Sequence, residues 1–525
     1  MSFKICLWQN FEMDEITIHA LSGHNKCVWF LVFCVAGKAM VIMNNSSYGK
    51  NLSLMTELYE LIQANGWLLS GKGEEIAYFD LYFRKVPDKG GFAIFAGLSQ
   101  IIDYIKSYEF KEEDLEYLST QGCSDEFIDY LRNFKFSCDI WAVPEGTPVF
   151  PNEPLIKVRG PIIQAQLLET VLLVFMNQQS LIATKANRLV RAAKGTNVAE
   201  FGTRRATSFD GAHFGSRAAY IGGCVGTSGL RQSKTFDIPS INTMIHSWVE
   251  MFDSEYEAFC EYARLYPDNC TFVVDTYDTI RFGVPNAIRA FNDVLKPMGK
   301  RPVSVRIDSG DITYLSKKVR KMLNEAGYPD CMITASNSFD EYIISDMVSQ
   351  GAKVDCFIAG ERLINSASSP LFSGVYKLCA LEKNGEIIPK INLSENVSKI
   401  NTPHSKKFYR LFDCDTGKAI ADVLTLYDET IDESKPYTLF DPDFTWKRKE
   451  VENFVAREML VPVFIGGKYV YSEPTVNEIR DYCSEQIDTL WEEVKRFENP
   501  HSYYVDLSEN LWKIRKELIE KHKGV

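Results

Sequence analysis

From Phe272 onward the chain repeats one pattern: a short apolar run, an end in small or acidic residues, then apolar positions at helical spacing. Phe272 to Val274 runs into Asp275-Thr276-Tyr277-Asp278, and a helix pattern follows from Val284. Val303 to Ile307 ends at Asp308, Met332 to Ala335 at Ser336-Asn337, and Val354 to Ala359 at Gly360-Glu361. Repetition of this kind predicts βα units, hence parallel strands with polar carboxyl ends, in an α/β barrel or a doubly wound sheet. The unit is sharpest at Arg306-Ile307-Asp308-Ser309-Gly310-Asp311. Asp311 sits where a helix N-cap belongs, Ile312, Leu315, Val319, Met322 and Leu323 follow at helical spacing, and Gly327 sits where the helix stops.

The flanking segments read differently. A helix pattern begins near Ser53 with Leu54, Leu58, Leu61 and Ile62, and Ala77 to Arg84 alternates like a strand. Between Asp139 and Val158 short apolar runs alternate with Pro144-Glu145-Gly146-Thr147-Pro148 and Pro151-Asn152-Glu153-Pro154, which predicts a small β-rich unit. Pro161 opens a long helical stretch, Ile162 to Ala193. After Gly374-Val375-Tyr376-Lys377-Leu378, strands return around Asn-Gly and Thr-Gly turns, and the end is helical. The expected division is an extension at 1–45, an N-terminal α+β domain at 46–160, a barrel domain at 161–380, and a C-terminal segment at 381–525 that completes the N-terminal domain and covers the barrel.

With 525 residues, more than one domain is expected. A net charge of −12 argues against nucleic-acid or membrane-surface partners. The 13 cysteines are scattered without a C-x-x-C, as in a reduced, cytoplasmic chain, and the seven histidines lack zinc-site spacing. Cys27 to Met43 is an apolar run broken by Lys38, short for a membrane span, and Met1 to Lys26 carries Glu12, Asp14 and Glu15 where a signal peptide is cationic. A dispensable extension is the expectation for it, with a membrane-anchored form as the alternative.

Against the acidic background, Arg204, Arg205, Arg217 and Arg231 gather between Glu200 and Arg231, together with Gly222-Gly223-Cys224-Val225-Gly226-Thr227-Ser228. Glycine admits a ligand close to the backbone and arginine grips anions in pairs of hydrogen bonds. Neither a P-loop nor a dinucleotide fingerprint is present. An acid or hydroxyl at one strand end is ordinarily a helix cap; four in register around one rim make a site.

Seven motifs stand in one order: Thr56-Glu57-Leu58-Tyr59, Glu200-Phe201-Gly202-x-Arg204-Arg205, Gly226-Thr227-Ser228, Thr243-x-x-His246-Ser247, Arg306 to Asp311, Gly374 to Leu378, and Phe497-Glu498-Asn499-Pro500-His501. In this the chain resembles the nicotinate phosphoribosyltransferases, from about Leu52 to Leu518. The resemblance implies a type II phosphoribosyltransferase-like irregular α/β barrel, usually in a cytoplasmic homodimer. It implies the joining of nicotinate to phosphoribosyl pyrophosphate in NAD biosynthesis, with Mg²⁺ (or Mn²⁺) and with ATP as co-substrate. His246 would be transiently phosphorylated, and Asp308 and Arg306 would be catalytic. Substrates would meet Tyr59 (from the partner), Phe201, Arg204, Thr227, Ser228, Ser247, Ser309, Gly310, Ser336 and Gly360. The resemblance supplies no metal ligands. Nicotinamide-using relatives carry Asp at the place of Ser228, so the neutral Ser228 favours the acid. Two departures stand out: Asn242 replaces a Gly before Thr243, and Ile358-Ala359-Gly360-Glu361 replaces a Gly-Val-Gly-Thr phosphate turn. The alternatives are a nicotinamide- or quinolinate-using relative, or a member that binds nucleotide without catalysis.

Overall fold

The computed structural model describes residues 52–396 and 399–523 together with the backbone of Leu31–Val35 and Lys38–Ile42. Those two strands pair antiparallel, Leu31 opposite Ile42, in a unit of their own that ends at Leu54. The rest of the expected extension lies outside the described residues.

The βα rhythm becomes a barrel. Helix α1 (Glu169–Ala192) leads into strand β1 (Asn197–Glu200), followed by α2 (Phe209–Ile221), α3 (His246–Glu250) and α4 (Glu255–Leu265). Then come β2 (Thr271–Val273), β3 (Ser304–Ile307), α5 (Ile312–Glu325), β4 (Met332–Asn337), α6 (Glu341–Ser349), β5 (Cys356–Ala359) and the short α7 (Glu361–Ile364). The five strands are parallel in the order β1-β5-β4-β3-β2. Two extended segments close the ring. Ser228 N donates to Glu200 O and Thr227 N to Pro239 O, both at 3.0 Å, and Met244 N reaches Thr271 O on β2 at 3.3 Å. The fold is thus an irregular α/β barrel, seven extended segments around.

Alternation along the strands decides what faces inward. Val305, Ile307, Ile333 and Ala335 are wholly buried, as expected of strands covered on both faces. The positions between them, Ser304, Arg306, Thr334 and Ser336, are buried as well but polar. They satisfy one another: the Ser304 and Thr334 hydroxyls lie 2.7 Å apart, and Arg306 Nε donates to Ser336 Oγ at 2.7 Å. Asp311 caps α5 as predicted, accepting from Tyr314 N at 3.0 Å, and Gly327 takes the left-handed φ of 84° just beyond its end.

The predicted helix from Ile162 to Ala193 breaks after Gln166 and restarts at Glu169. By length and composition Ile162–Ala192 would suffice to cross a membrane. Val171, Leu172, Met176, Ala183 and Leu189 are wholly buried in the protein, so it is a core helix.

Beside the barrel a seven-stranded sheet draws on both ends of the chain. Strand Ile76–Phe83 lies between Gly374–Lys383 and the central strand Ile156–Pro161, and Val461–Ile465 joins the sheet through Asp139–Ala142 on the other side of that central strand. Gly374–Lys383 pairs with Glu386–Pro389 around the predicted Asn384-Gly385 turn, whose φ angles of 53° and 79° are those of a tight hairpin. A second sheet holds Lys406–Asp413, Ala419–Leu426, Phe454–Glu458 and Val505–Leu507.

Candidate active site

The carboxyl ends of β3 and β4 carry a linked set of groups. Asp308, one residue past β3, is reached through Oδ1 by Arg306 at 3.0 Å and by the Ser336 hydroxyl, and through Oδ2 by His246 Nε2 at 3.6 Å. Burial alone would push the Asp308 carboxyl up; Ser336, Arg306 and His246 outweigh it and hold it below the usual carboxylate range. His246 opens α3 and rests Nδ1 3.1 Å from Thr276 Oγ1, leaving Nε2 toward Asp308 and solvent, with 41% of the side chain exposed. Below them Asp275 braces the turn: its Oδ2 accepts from Asp308 N at 2.9 Å and from Ser309 Oγ at 2.6 Å. Its Oδ1 is buried with no hydrogen-bond partner.

Arg306 differs from the sequence expectation of a fork open to anions. It is buried inside the barrel, with Nε on Ser336, a terminal nitrogen on Asp308, and the other 3.4 Å from Met244 O. The turn after β3, strand β4 and the extended segment ending at Met244 thereby converge on one guanidinium. It holds Asp308 charged and ties the His246 segment to the rim, with three of its five N–H groups engaged.

Around the rim, at the end of β1, Phe201 N donates to Ala359 O on β5 at 2.8 Å. The exposed Arg204 guanidinium lies 5.5 Å from the centre of the Phe201 ring. Beneath, the buried Glu200 carboxylate gathers the loops: it accepts from Thr227 Oγ1 at 2.5 Å, from Ser216 Oγ at 2.9 Å and from Gly202 N. Burial raises its pKa above the usual value, though those hydrogen bonds oppose the rise. Thr227 is therefore fully buried with its hydroxyl turned inward, whereas Ser228 is half-buried with its hydroxyl 3.5 Å from Thr203. Three strand spacings of about 4.8 Å separate β1 from β3 along the wall, and less across the ring. Phe201, Arg204, His246 and Asp308 accordingly share one rim.

Three nicotinate phosphoribosyltransferase family models match the chain in order: the N-terminal domain at 54–177, the family region at 196–360 and the C-terminal domain at 405–515. The nicotinate phosphoribosyltransferase of Bacillus subtilis (strain 168) is 42% identical over 478 residues, covering 90% of this chain and 96% of that protein. The chain belongs to the nicotinate phosphoribosyltransferase family. The crystal structure of human nicotinic acid phosphoribosyltransferase aligns with TM-score 0.77 at 26% identity, over 88% of this chain and 99% of that one. The nicotinate-nucleotide pyrophosphorylase of Pyrococcus furiosus shares the fold, with TM-score 0.64 at 23% identity over 85% of this chain and 98% of that one.

In this family member the other expected residues sit as follows. Ser309 and Gly310 are exposed on the turn after β3, where Gly310 takes a φ of 77°. Ser247 is exposed beside His246, and Ser336 is buried beneath Asp308. Gly360 opens α7, and Glu361 after it accepts from Ser338 Oγ, a bond that, with Arg205 and Arg362 nearby, lowers its pKa despite some burial. The altered phosphate turn thus turns its carboxylate onto Ser338. Tyr59 stands apart: it is exposed on helix Leu58–Leu69 beside Glu169, and burial together with that carboxylate drives its hydroxyl pKa up. The sequence marked Asp275 and Thr276 only as a polar strand end and Glu200 only within a motif, and assigned none of the three a role. The first two were visible as polar residues at a strand end, where a helix cap is the ordinary reading; Glu200 carried no signal of burial.

Proposed function

We propose that this chain transfers the phosphoribosyl group of phosphoribosyl pyrophosphate to nicotinate, giving nicotinate mononucleotide and pyrophosphate. The observation that carries the reading is Asp308, kept ionised by Arg306 and Ser336 at the mouth of the barrel beside His246. The nicotinate ring nitrogen forms its bond to ribose C1 as the C1–oxygen bond breaks and the electron pair leaves with pyrophosphate. Positive charge develops on the sugar, and a carboxylate that stays charged is the group to stabilise it. Phe201 gives the pyridine ring a face to stack on, and Arg204 beside it meets the carboxylate. Ser228 adds no negative charge there, which favours nicotinate over nicotinamide. The backbone around Gly360 would receive the 5′-phosphate.

Coupling to ATP fits His246. Thr276 fixes Nδ1, so Nε2 is the nitrogen to attack the γ-phosphorus as the bond to ADP oxygen breaks. A Mg²⁺ (or Mn²⁺) suits the same place: Asp308 and the unpartnered Asp275 Oδ1 would supply protein oxygens, phosphate oxygens the rest, and the ion would offset pyrophosphate charge. A homodimer accounts for Tyr59. Leu58, Tyr59 and Ile62 are exposed together on one helix, while Leu230, at 78%, opens the uncovered start of helix Leu230–Phe236 and Met251, at 82%, lies uncovered just past α3. The partner subunit's Tyr59 would complete the stack on Phe201. The described cysteines are all unpaired, consistent with a cytoplasmic enzyme.

Turnover of phosphoribosyl pyrophosphate with nicotinate or nicotinamide, with and without ATP, tests the reading. Nicotinate mononucleotide is the expected product, ATP raises its yield, and His246→Ala removes the ATP effect while leaving the fold. Equal use of nicotinamide, or no product under any condition, refutes the assignment.

A further inference from the structure

The motif Phe497 to His501 finds no task at the rim. Phe497 lies under Arg188 and Arg191, at 5.2 and 4.9 Å, at the end of α1 that feeds the amino end of β1, the side opposite the rim. His501 stacks on Trp491 with ring centres 6.1 Å apart. Trp491 in turn forms a wall of a cavity of about 260 Å³ over the second sheet. Ile420 of that sheet and Val451 of strand Arg448–Val451, which pairs with Tyr437–Phe440 in a two-stranded ladder, share one apolar cluster and supply the cavity floor.

The rest of the lining is charged in both senses. Lys449 crosses the cavity with its ammonium 5.5 Å from the Trp491 ring and 5.8 Å from the Tyr504 ring, and no carboxylate pairs with it among the described residues. Lys418 donates to Asp488 O at 2.6 Å and Leu490 O at 3.3 Å, which leaves one of its three N–H groups. Glu450 and Glu452 line the same space, and so does Asp413, whose Oδ1 already accepts from Asp415 N, Thr416 N and Thr416 Oγ1. A bare anion meets these carboxylates, and a bare cation meets the two lysines. A molecule with a flat ring, neutral hydroxyls and one anionic end matches both: the ring on Trp491 in place of the Lys449 ammonium, hydroxyls on a glutamate, the anion on the lysines. The volume lies near the lower bound of about 300 Å³ for ligand cavities, enough for one nucleotide unit and too small for two.

We propose that this crevice is a second ligand site, separate from the barrel rim, and that it takes a nucleoside monophosphate. The proposal does not depend on the rim chemistry. The test is equilibrium dialysis of the full chain with labelled adenosine monophosphate, with thermal melts as the folding control. Lys449→Met, an exposed strand position, and Trp491→Leu are each expected to weaken binding at least about tenfold, a loss of ~1.4 kcal/mol. Trp491→Tyr keeps a stacking face and should hold within about threefold; the component of binding lost in Lys449→Met should persist in Asp308→Asn and Phe201→Leu. Adenosine and inorganic phosphate should each bind at least about tenfold more weakly than the nucleotide. The proposal fails if no binding is seen at millimolar nucleotide, if phosphate alone binds as tightly, or if Phe201→Leu abolishes binding while Lys449→Met retains it.

Discussion

Asp308 receives a guanidinium, a hydroxyl and an imidazole from three different segments, so its charge organises the rim. Asp308→Asn keeps the size and removes the charge. It should lower kcat about 100-fold or more while nicotinate KM moves little, because the interaction matters most when the sugar is cationic. Since its pKa lies below the ordinary 3.8, Asp308 stays ionised at neutral pH and well below it. An acid limb of the rate profile near pH 6 therefore belongs to another group, and Asp308→Asn leaves its midpoint in place. Thr276→Val tests the orientation of His246. Loss of the hydroxyl on Nδ1 should slow labelling of the chain by γ-labelled ATP about tenfold, the worth of one hydrogen bond of ~1.5 kcal/mol. Unchanged labelling would show that Thr276 does not position the ring.

At the scale of elements, the barrel depends on two segments that are not regular strands. Gly226 sits in the first, and a methyl group there would meet Pro239 O at 2.5 Å and Ile241 Cδ1 at 2.9 Å in the second. Gly226→Ala must push the two apart, at a cost of about 1–3 kcal/mol. Because the second segment runs on to His246, the variant should lose ATP stimulation as well as melting temperature; a melting loss with full stimulation would mean that the strain is absorbed before Met244. These segments also mark the limit of what the sequence disclosed. Strands β2 to β5 were legible because apolar runs ending in Asp308, Ser336 or Gly360 repeat at βα spacing. Val225–Ser228 and Pro239–Met244 were not, since glycine, proline and polar residues there give no period-two signal and pairing comes only from the closed ring. The buried role of Arg306 was hidden for a related reason: alternation shows that Arg306 and Ser336 share the inward face, but not that the interior is polar enough to consume a guanidinium. Tyr59 could be assigned only through the family resemblance, because one chain alone does not bring it to the rim.

Over the whole molecule, two buried groups pull stability in opposite directions with pH. His213 on α2 packs against Phe214 and Phe236, and burial, helped by Arg231, depresses its pKa from 6.5 to about 4. Between those values the unfolded chain takes up a proton that the folded chain refuses, so this group makes stability rise with pH. Asp506, buried in strand Val505–Leu507, is pushed by desolvation and by Asp441 from 3.8 to about 7, against a backbone hydrogen bond from Phe440. Between those values the folded chain keeps a proton that the unfolded chain has lost, so this group makes stability fall with pH. Each contributes a slope of up to about 1.4 kcal/mol per pH unit, with opposite sign, and the windows overlap from about 4 to 6.5. The parent chain therefore conceals both. Measured by urea denaturation across that window, His213→Leu should become less stable relative to the parent as pH rises, and Asp506→Asn more stable. The double variant should restore the parent's slope, because the two sites lie on separate elements and share no partner. Parallel curves for either single variant and the parent would show that the replaced group does not titrate differently in the folded chain.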